Sequence, residues 1–116
     1  MFNRNLDPEW PATLSPSTIN ELLRHRLGFS GVVVADDMQM DAIAEHYGLD
    51  TVLRQAIVVG VGIVTFANNN PRAYEPDIAP SAINIIAALV ADGTISEVRI
   101  GESVGRIRAL KQRLSR

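Results

Sequence analysis

A short apolar run that ends in two carboxylates is the feature that most restricts what this chain can fold into. Residues 32–35 are apolar without interruption, and Asp36 and Asp37 follow at once. Unbroken apolar residues are typical of a strand buried on both faces of a parallel sheet, whereas a half-exposed strand alternates. The sequence therefore predicts a strand over residues 31–35. Its two carboxylates would lie at the carboxyl edge of the sheet, where α/β folds bind ligands and place catalytic groups.

The rest of the chain alternates predicted helices and strands. The other predicted elements are helices over 16–27, around 42–47, over 49–59, over 80–91 and after Ser96, and a second strand over 62–67. Strand–helix alternation indicates parallel strands joined by right-handed crossovers, which is the α/β class. Two strands are fewer than the roughly 5–6 of an average sheet. The chain alone is thus predicted to be a piece of a larger structure or a protomer that needs a partner.

Local signals fix the ends of these helices. Ser15 before Pro16 is typical of an N-cap followed by proline at the first helical position. Gly28 and Gly60 follow the apolar faces of two helices, where glycine ends a helix in a left-handed conformation. Residues 1–14, which are polar and contain two prolines, are predicted to form a loop or arm, and residues 1–116 a single partial domain.

Composition excludes several classes of partner and site. The net charge of −2 gives no reason to expect nucleic acid or an anionic membrane as partner, and without cysteine there is no disulfide or thiolate metal site. The longest apolar run, over residues 56–66, is interrupted by glycine and is far shorter than the roughly 20 residues that span a bilayer. No apolar leader is visible at the N-terminus. We therefore predict a cytoplasmic protein.

The two carboxylates permit several roles from their position alone. Asp36 can be a nucleophile, a general base or a metal ligand, or one carboxylate can cap a helix while the other is solvated. With Asp41, the pair could also form a Mg²⁺ cluster, because hard cations prefer carboxylate oxygens. No phosphate-binding loop accompanies these residues, and we predict neither a metal nor a cofactor.

A longer pattern covers nearly the whole chain. Its segments are residues 11–16, 23–24, 27–40, 42–44, 46–48, 66–69, 74–79, 95–100, 103–104, 106–107 and 110–111. Together they closely resemble glycoside hydrolase family 3, especially its bacterial β-N-acetylhexosaminidases. The resemblance implies a partial (β/α)₈ TIM-type barrel consisting of about the last two βα units.

The resemblance also implies roles for individual residues. Asp36 matches the nucleophile of a retaining hydrolase, which forms a covalent glycosyl-enzyme, and Asp37 and Met40 are expected to contact the substrate. That substrate would be a terminal β-linked N-acetylhexosamine. Retaining enzymes pair the nucleophile with an acid/base group that protonates the leaving oxygen and then activates water.

The chain departs from the family in three respects. Ala35 stands where a serine or threonine usually precedes the nucleophile. The acid/base of this branch is a histidine from an earlier loop, and neither His25 nor His46 matches it. A full barrel needs about 250 residues, whereas this chain has 116. Two hypotheses follow: an enzyme completed by self-association or by a complementing N-terminal barrel half, or a non-catalytic remnant that self-associates through exposed strand edges.

Overall fold

The computed structural model describes residues 4–39, 43, 46–69, 71 and 74–114, and it has an α/β arrangement. In chain order the elements are a 3₁₀ turn (Ala12–Leu14), α1 (Ser17–Arg26), β1 (Val34–Asp37), α2 (Leu49–Val59), β2 (Ile63–Thr65), α3 (Ile78–Ala91) and α4 (Glu97–Leu114). The predicted bounds of α2 are confirmed, and α3 begins two residues earlier than predicted. The short helix predicted around 42–47 lies mostly outside the described residues.

The two strands pair in parallel, as predicted. Val34 is in register with Ile63 and Asp37 with Thr65, so β1 carries one extra residue as a bulge. The Val33 carbonyl accepts hydrogen bonds from the amides of both Gly62 (2.9 Å) and Ile63 (3.1 Å). Pairing therefore starts beside Val33 and continues to Asp37. For this reason β1 lies farther along the chain than the predicted 31–35.

The prediction that β1 is buried on both faces is wrong for this chain. Ala35 is 5% exposed, whereas Val34 is 58% exposed and Asp36 is exposed as well. Successive side chains of a strand point to opposite faces. Helices thus cover the Ala35 face, and no layer among the described residues covers the face that carries Val34 and Asp36.

One apolar cluster holds the covered face of the sheet against the helices. It comprises Leu14, Ile19, Ala35, Met38, Ile43, Val52, Ala56, Val59 and Val61. These side chains come from the 3₁₀ turn, α1, β1, α2 and the segments beside them. A core built from so many parts of the chain fixes the direction of β1 and hence the position of the residues at its end.

Helix α1 differs from the predicted α-helix. It is a π-helix, in which the amide of Leu27 bonds to the carbonyl of Leu22 at 2.9 Å, five residues back. Because such a turn holds more residues than an α-turn, Leu27 leaves the apolar face on which the sequence places it and is 68% exposed. The predicted ends are confirmed: the Ser15 hydroxyl accepts the Thr18 amide at 3.0 Å, and Gly28 has φ +68°.

One arginine joins helix α4 to the end of α2. The Arg99 guanidinium donates to the carbonyls of Ile57 (2.8 Å) and Val61 (3.2 Å) at the C-terminal end of α2. No side chain of α4 is buried among the described residues. None of the described helices is both long and apolar enough to cross a membrane.

Candidate functional site

The two predicted carboxylates lie at the carboxyl end of β1. Asp36 is on the uncovered face of the sheet, where its Oδ1 accepts the amide of Asp37 at 2.7 Å. That contact is local and leaves the side chain exposed. Asp36 is thus a carboxylate fixed at the end of a strand and open to whatever occupies the uncovered face.

Asp37 joins the ends of the two strands. Its Oδ1 accepts the amide of Gln39 and the amide of Ala67, each at 3.0 Å. The Met38 amide, in turn, donates to the carbonyl of Thr65 at 2.9 Å. The carboxylate therefore continues the β1–β2 pairing beyond the strands. Its predicted contact with substrate stays a prediction.

An amide network extends this connection to a third segment. Gln39 Oε1 accepts the Asn68 amide at 2.7 Å, and Asn68 Nδ2 donates to the Glu75 carbonyl at 2.9 Å. Asn68 Oδ1 also accepts the Glu75 amide at 3.0 Å. Asn68 has φ 49°, a left-handed conformation that asparagine tolerates better than most residues. The network ties the segments that follow β1 and β2 to the segment before α3.

Sequence reasoning missed Gln39 and Asn68. Both lie in segments that resemble the family, but apart from that resemblance the signal was only the change from apolar to polar residues at the end of each strand. That change marks a sheet edge, but it does not show that Asn68 meets a residue 29 positions earlier.

A small cavity of about 190 Å³ adjoins this network. Its lining residues are Met38, Gln39, Tyr47, Leu49, Val52, Glu75 and Ile78. Tyr47 stacks on Trp10 with ring centroids 5.2 Å apart. Asp36 and Asp37 are not among the lining residues, so the cavity lies beside the candidate nucleophile rather than around it.

Two of the sequence-derived candidates cannot be placed. Met40 and Asp41 lie outside the described residues, so neither the predicted substrate contact of Met40 nor a cluster including Asp41 is tested. Across the ranges that are described, no group of three or more His, Asp or Glu side chains could hold a metal ion.

Known proteins share both the sequence pattern and the fold of this chain. Residues 2–110 match the family model described as "Glycosyl hydrolase family 3 N terminal domain". A "Beta-N-acetylglucosaminidase/beta-glucosidase" of Cellulomonas fimi is 31% identical over 90% of this chain and 17% of its own length. A "Beta-hexosaminidase" of Alkalilimnicola ehrlichii is 33% identical over 87% of this chain and 26% of its own.

A solved structure agrees with these matches. The glycoside hydrolase family 3 β-N-acetylglucosaminidase of Paenibacillus sp. str. FPU-7 superimposes with a TM-score of 0.81 and is 39% identical. The match covers 93% of this chain and 20% of the Paenibacillus chain. The chain thus spans well under a third of the length of each of these relatives.

Proposed function

The chain belongs to glycosyl hydrolase family 3, and we propose that it carries the nucleophile end of a retaining glycosidase site. The substrate class is a terminal β-linked N-acetylhexosamine. The names of the relatives from Paenibacillus and Alkalilimnicola support that class. The Cellulomonas relative also bears the name of a β-glucosidase, so a glucoside is the comparison substrate in the experiment below.

In this proposal the described sheet is part of a (β/α)₈ barrel whose other strands cover the open face of β1. Asp36 then points from the end of a strand toward the barrel axis, as do the functional residues of such barrels. Two observations support the proposal. Val34 is 58% exposed beside Asp36, and the strands are parallel with helices on one face only.

The proposed reaction has two displacement steps. An Asp36 carboxylate oxygen attacks the anomeric carbon while the bond to the leaving oxygen breaks, and an acid group outside this chain protonates that oxygen. The same group then removes a proton from water, which attacks the anomeric carbon and releases Asp36. The sugar is freed with its β configuration retained.

One observation carries the assignment to Asp36 rather than Asp37. Asp37 Oδ1 accepts two backbone amides, one from beyond the end of each strand. The Asp36 carboxylate lies on the open face and, among the described residues, accepts only the amide next to it. A nucleophile must be open to the sugar, and a residue that fixes a loop need not be. The pair therefore divides into an attacking group and a positioning group.

The test is a chimera in which this chain replaces the matching segment of the Paenibacillus enzyme. We expect hydrolysis of an aryl β-N-acetylglucosaminide above that of the matching aryl β-glucoside. Asp36→Asn should lower kcat by about 10⁴–10⁶-fold, because the nucleophile itself is lost. A fluorinated glycosyl substrate that traps the covalent intermediate should label the peptide containing Asp36.

Asp37→Asn is the matched control, because its amide oxygen can still accept the two backbone amides. We expect the Asp37→Asn chimera to be labelled at Asp36 and to lose much less activity than the Asp36→Asn chimera. An Asp36→Asn chimera that remains as active as its parent would overturn the assignment, as would labelling elsewhere in the chain.

The alternative is a non-catalytic module that self-associates through its open strand edges and sheet face. Among the described residues the sheet has two strands, and Val34 and Ile83 are 58% and 65% exposed. Exposed edges and apolar faces favour association.

A further inference from the structure

A cavity of about 410 Å³ lies at the opposite end of the sheet from Asp36. It is lined by residues of α1, the segment 28–30 that leads to β1, the end of α2, and α4. Segment 28–30 precedes β1, and Gly60, another lining residue, precedes β2. The cavity therefore adjoins the amino ends of the strands and is separate from the candidate catalytic edge.

Three arginines line this cavity: Arg24, Arg99 and Arg106. Two of them are held by backbone carbonyls. Arg24 Nη1 donates to the carbonyls of Phe29 (3.0 Å) and Gly31 (2.6 Å), and its guanidinium lies 5.5 Å from the centre of the Phe29 ring. Arg99 donates to the end of α2 and, through Nη1, to the Ser103 hydroxyl at 2.8 Å. Both cations are thus positioned before any ligand arrives, which reduces the entropy lost on binding.

The positive charge of the cavity is only partly balanced. Glu102 is the single carboxylate among its lining residues, and its Oε2 lies 3.7 Å from Arg99 Nη1 with the Glu102 side chain 51% exposed. Three guanidinium groups against one carboxylate leave two positive charges in excess. Burial lowers the pKa of Arg24, and the nearby charges of Arg106 and Arg99 lower it further, whereas the charge of Glu102 raises it.

Arg106 is the cation that remains for a ligand. Within the described part of the chain its guanidinium makes no ion pair or hydrogen bond, and it also lines an adjoining cavity of about 310 Å³ with Ser30. The Asn20 amide and the Ser30 hydroxyl add neutral polar groups. The main cavity is within the range of about 300–1,000 Å³ found for small-molecule sites.

We propose that this cavity binds a phosphate dianion, either as the free ion or as the phosphate group of a small phosphomonoester. The double negative charge matches the excess of two positive charges, and the planar fork of arginine fits phosphate oxygens in bidentate geometry. Phe29, which is 43% exposed, offers an apolar face to the organic part of an ester. The site is independent of the proposed glycosidase chemistry.

The test is a calorimetric titration of the full chain with inorganic phosphate and, separately, with glucose 6-phosphate, in a buffer without phosphate. Binding of either ligand is expected, and the tighter of the two identifies the source of the phosphate. Arg106→Gln should weaken binding about tenfold, since a hydrogen bond to a charged group contributes at least that factor. Glucose, which has no phosphate, should not bind.

Two further variants make the result specific. Arg108→Gln removes a charge from the exposed side of the same helix, outside both cavities, and should leave affinity nearly unchanged. Glu102→Gln removes the carboxylate of the cavity and should tighten binding several-fold, a gain that loss of folding cannot produce. The proposal is overturned if neither phosphate binds at millimolar concentration, or if Arg106→Gln and Arg108→Gln weaken binding equally.

Discussion

A buried carboxylate connects the N-terminal segment to the start of α1. Asp7 is 6% exposed, and its Oδ2 accepts the Ser15 hydroxyl at 2.6 Å. Its Oδ1 accepts the amides of Glu9 (2.9 Å) and Trp10 (3.0 Å). The same Ser15 hydroxyl caps α1 by accepting the Thr18 amide. One side chain thus fixes both the segment before the 3₁₀ turn and the helix after it.

These contacts make stability depend on pH. The Ser15 hydroxyl holds the pKa of Asp7 below its usual range; burial opposes this effect, and the amides of Trp10 and Glu9 add to it. Because the pKa is lower in the folded state, the unfolded state takes up a proton first as the pH falls. The stabilisation is complete above the unfolded value of about 3.9 and is lost as the pH falls through the folded pKa.

Asp7→Asn should therefore reduce the free energy of unfolding at pH 7 by about 1–2 kcal/mol, since a hydrogen-bonded charge is replaced by a neutral group. The difference from the parent should shrink toward pH 2.5, as measured by urea unfolding across that range. Asp92→Asn is the control. Asp92 is exposed, and its pKa is lowered mainly by the Thr94 side chain, so solvent screens its contribution. A difference that is equal at both pH values would contradict the role of the Asp7 charge.

At this scale the sequence predicts local contacts and misses distant ones. The Ser15 cap and the positive φ of Gly28 depend on neighbours within a few positions, and both are confirmed. Asp7 meets Ser15 across eight residues, and Gln39 meets Asn68 across 29. Such pairs form only once the elements have packed, so no local sequence pattern predicts them.

At the scale of elements, the end of α2 depends on a backbone conformation that residues other than glycine rarely adopt. Gly60 has φ +116°, and a Cβ placed there would lie 3.3 Å from Ile19 Cγ2 on α1. The turn leads directly from α2 to β2, so it sets the position of the strand beside the candidate nucleophile. Glycine is required both for the dihedral angle and for the close approach of α1.

Gly60→Ala should lower the free energy of unfolding by about 1–3 kcal/mol, the usual cost of a strained backbone. Gly101→Ala is the matched control, because Gly101 lies inside α4 and a Cβ there would meet nothing within 4 Å. It should raise stability by about 0.5–1 kcal/mol, since alanine favours a helix interior. Thermal unfolding of both variants measures the two effects, and a change of the same sign in each would contradict the account.

The sequence predicts the order of the elements better than their exact bounds. The apolar periodicity over residues 49–59 is enough to predict α2, because a helix forms its backbone hydrogen bonds within itself. The bounds of β1 depend instead on its partner, since Val34 and Asp37 are aligned by Ile63 and Thr65. A bulge of one residue in such a pair is not encoded in either strand alone.

At the scale of the whole molecule, the chain exposes more surface than a finished domain of its size. Its accessible surface is 7,677 Å², whereas a compact monomer of 12.6 kDa exposes about 6,200 Å². The excess, about 1,500 Å², exceeds the roughly 800 Å² that each partner buries in a standard interface. The burial prediction for β1 failed for the same reason: the apolar run 32–35 suits a strand with two covered faces, and the described residues cover one.

The uncovered face of β1, which carries Val34, can be tested for what covers it in solution. If copies of the chain cover one another's sheets, light scattering should show a molecular mass that rises with protein concentration. Val34→Lys should then shift the protein toward monomer, because burying an unpaired charge is costly. Val98→Lys is the control, since Val98 is 74% exposed and belongs to α4 rather than to the sheet. It should associate like the parent. A parent chain that stays monomeric across the micromolar range would exclude self-association through this face, and the complementing barrel half would be the remaining occupant to test by mixing the two parts.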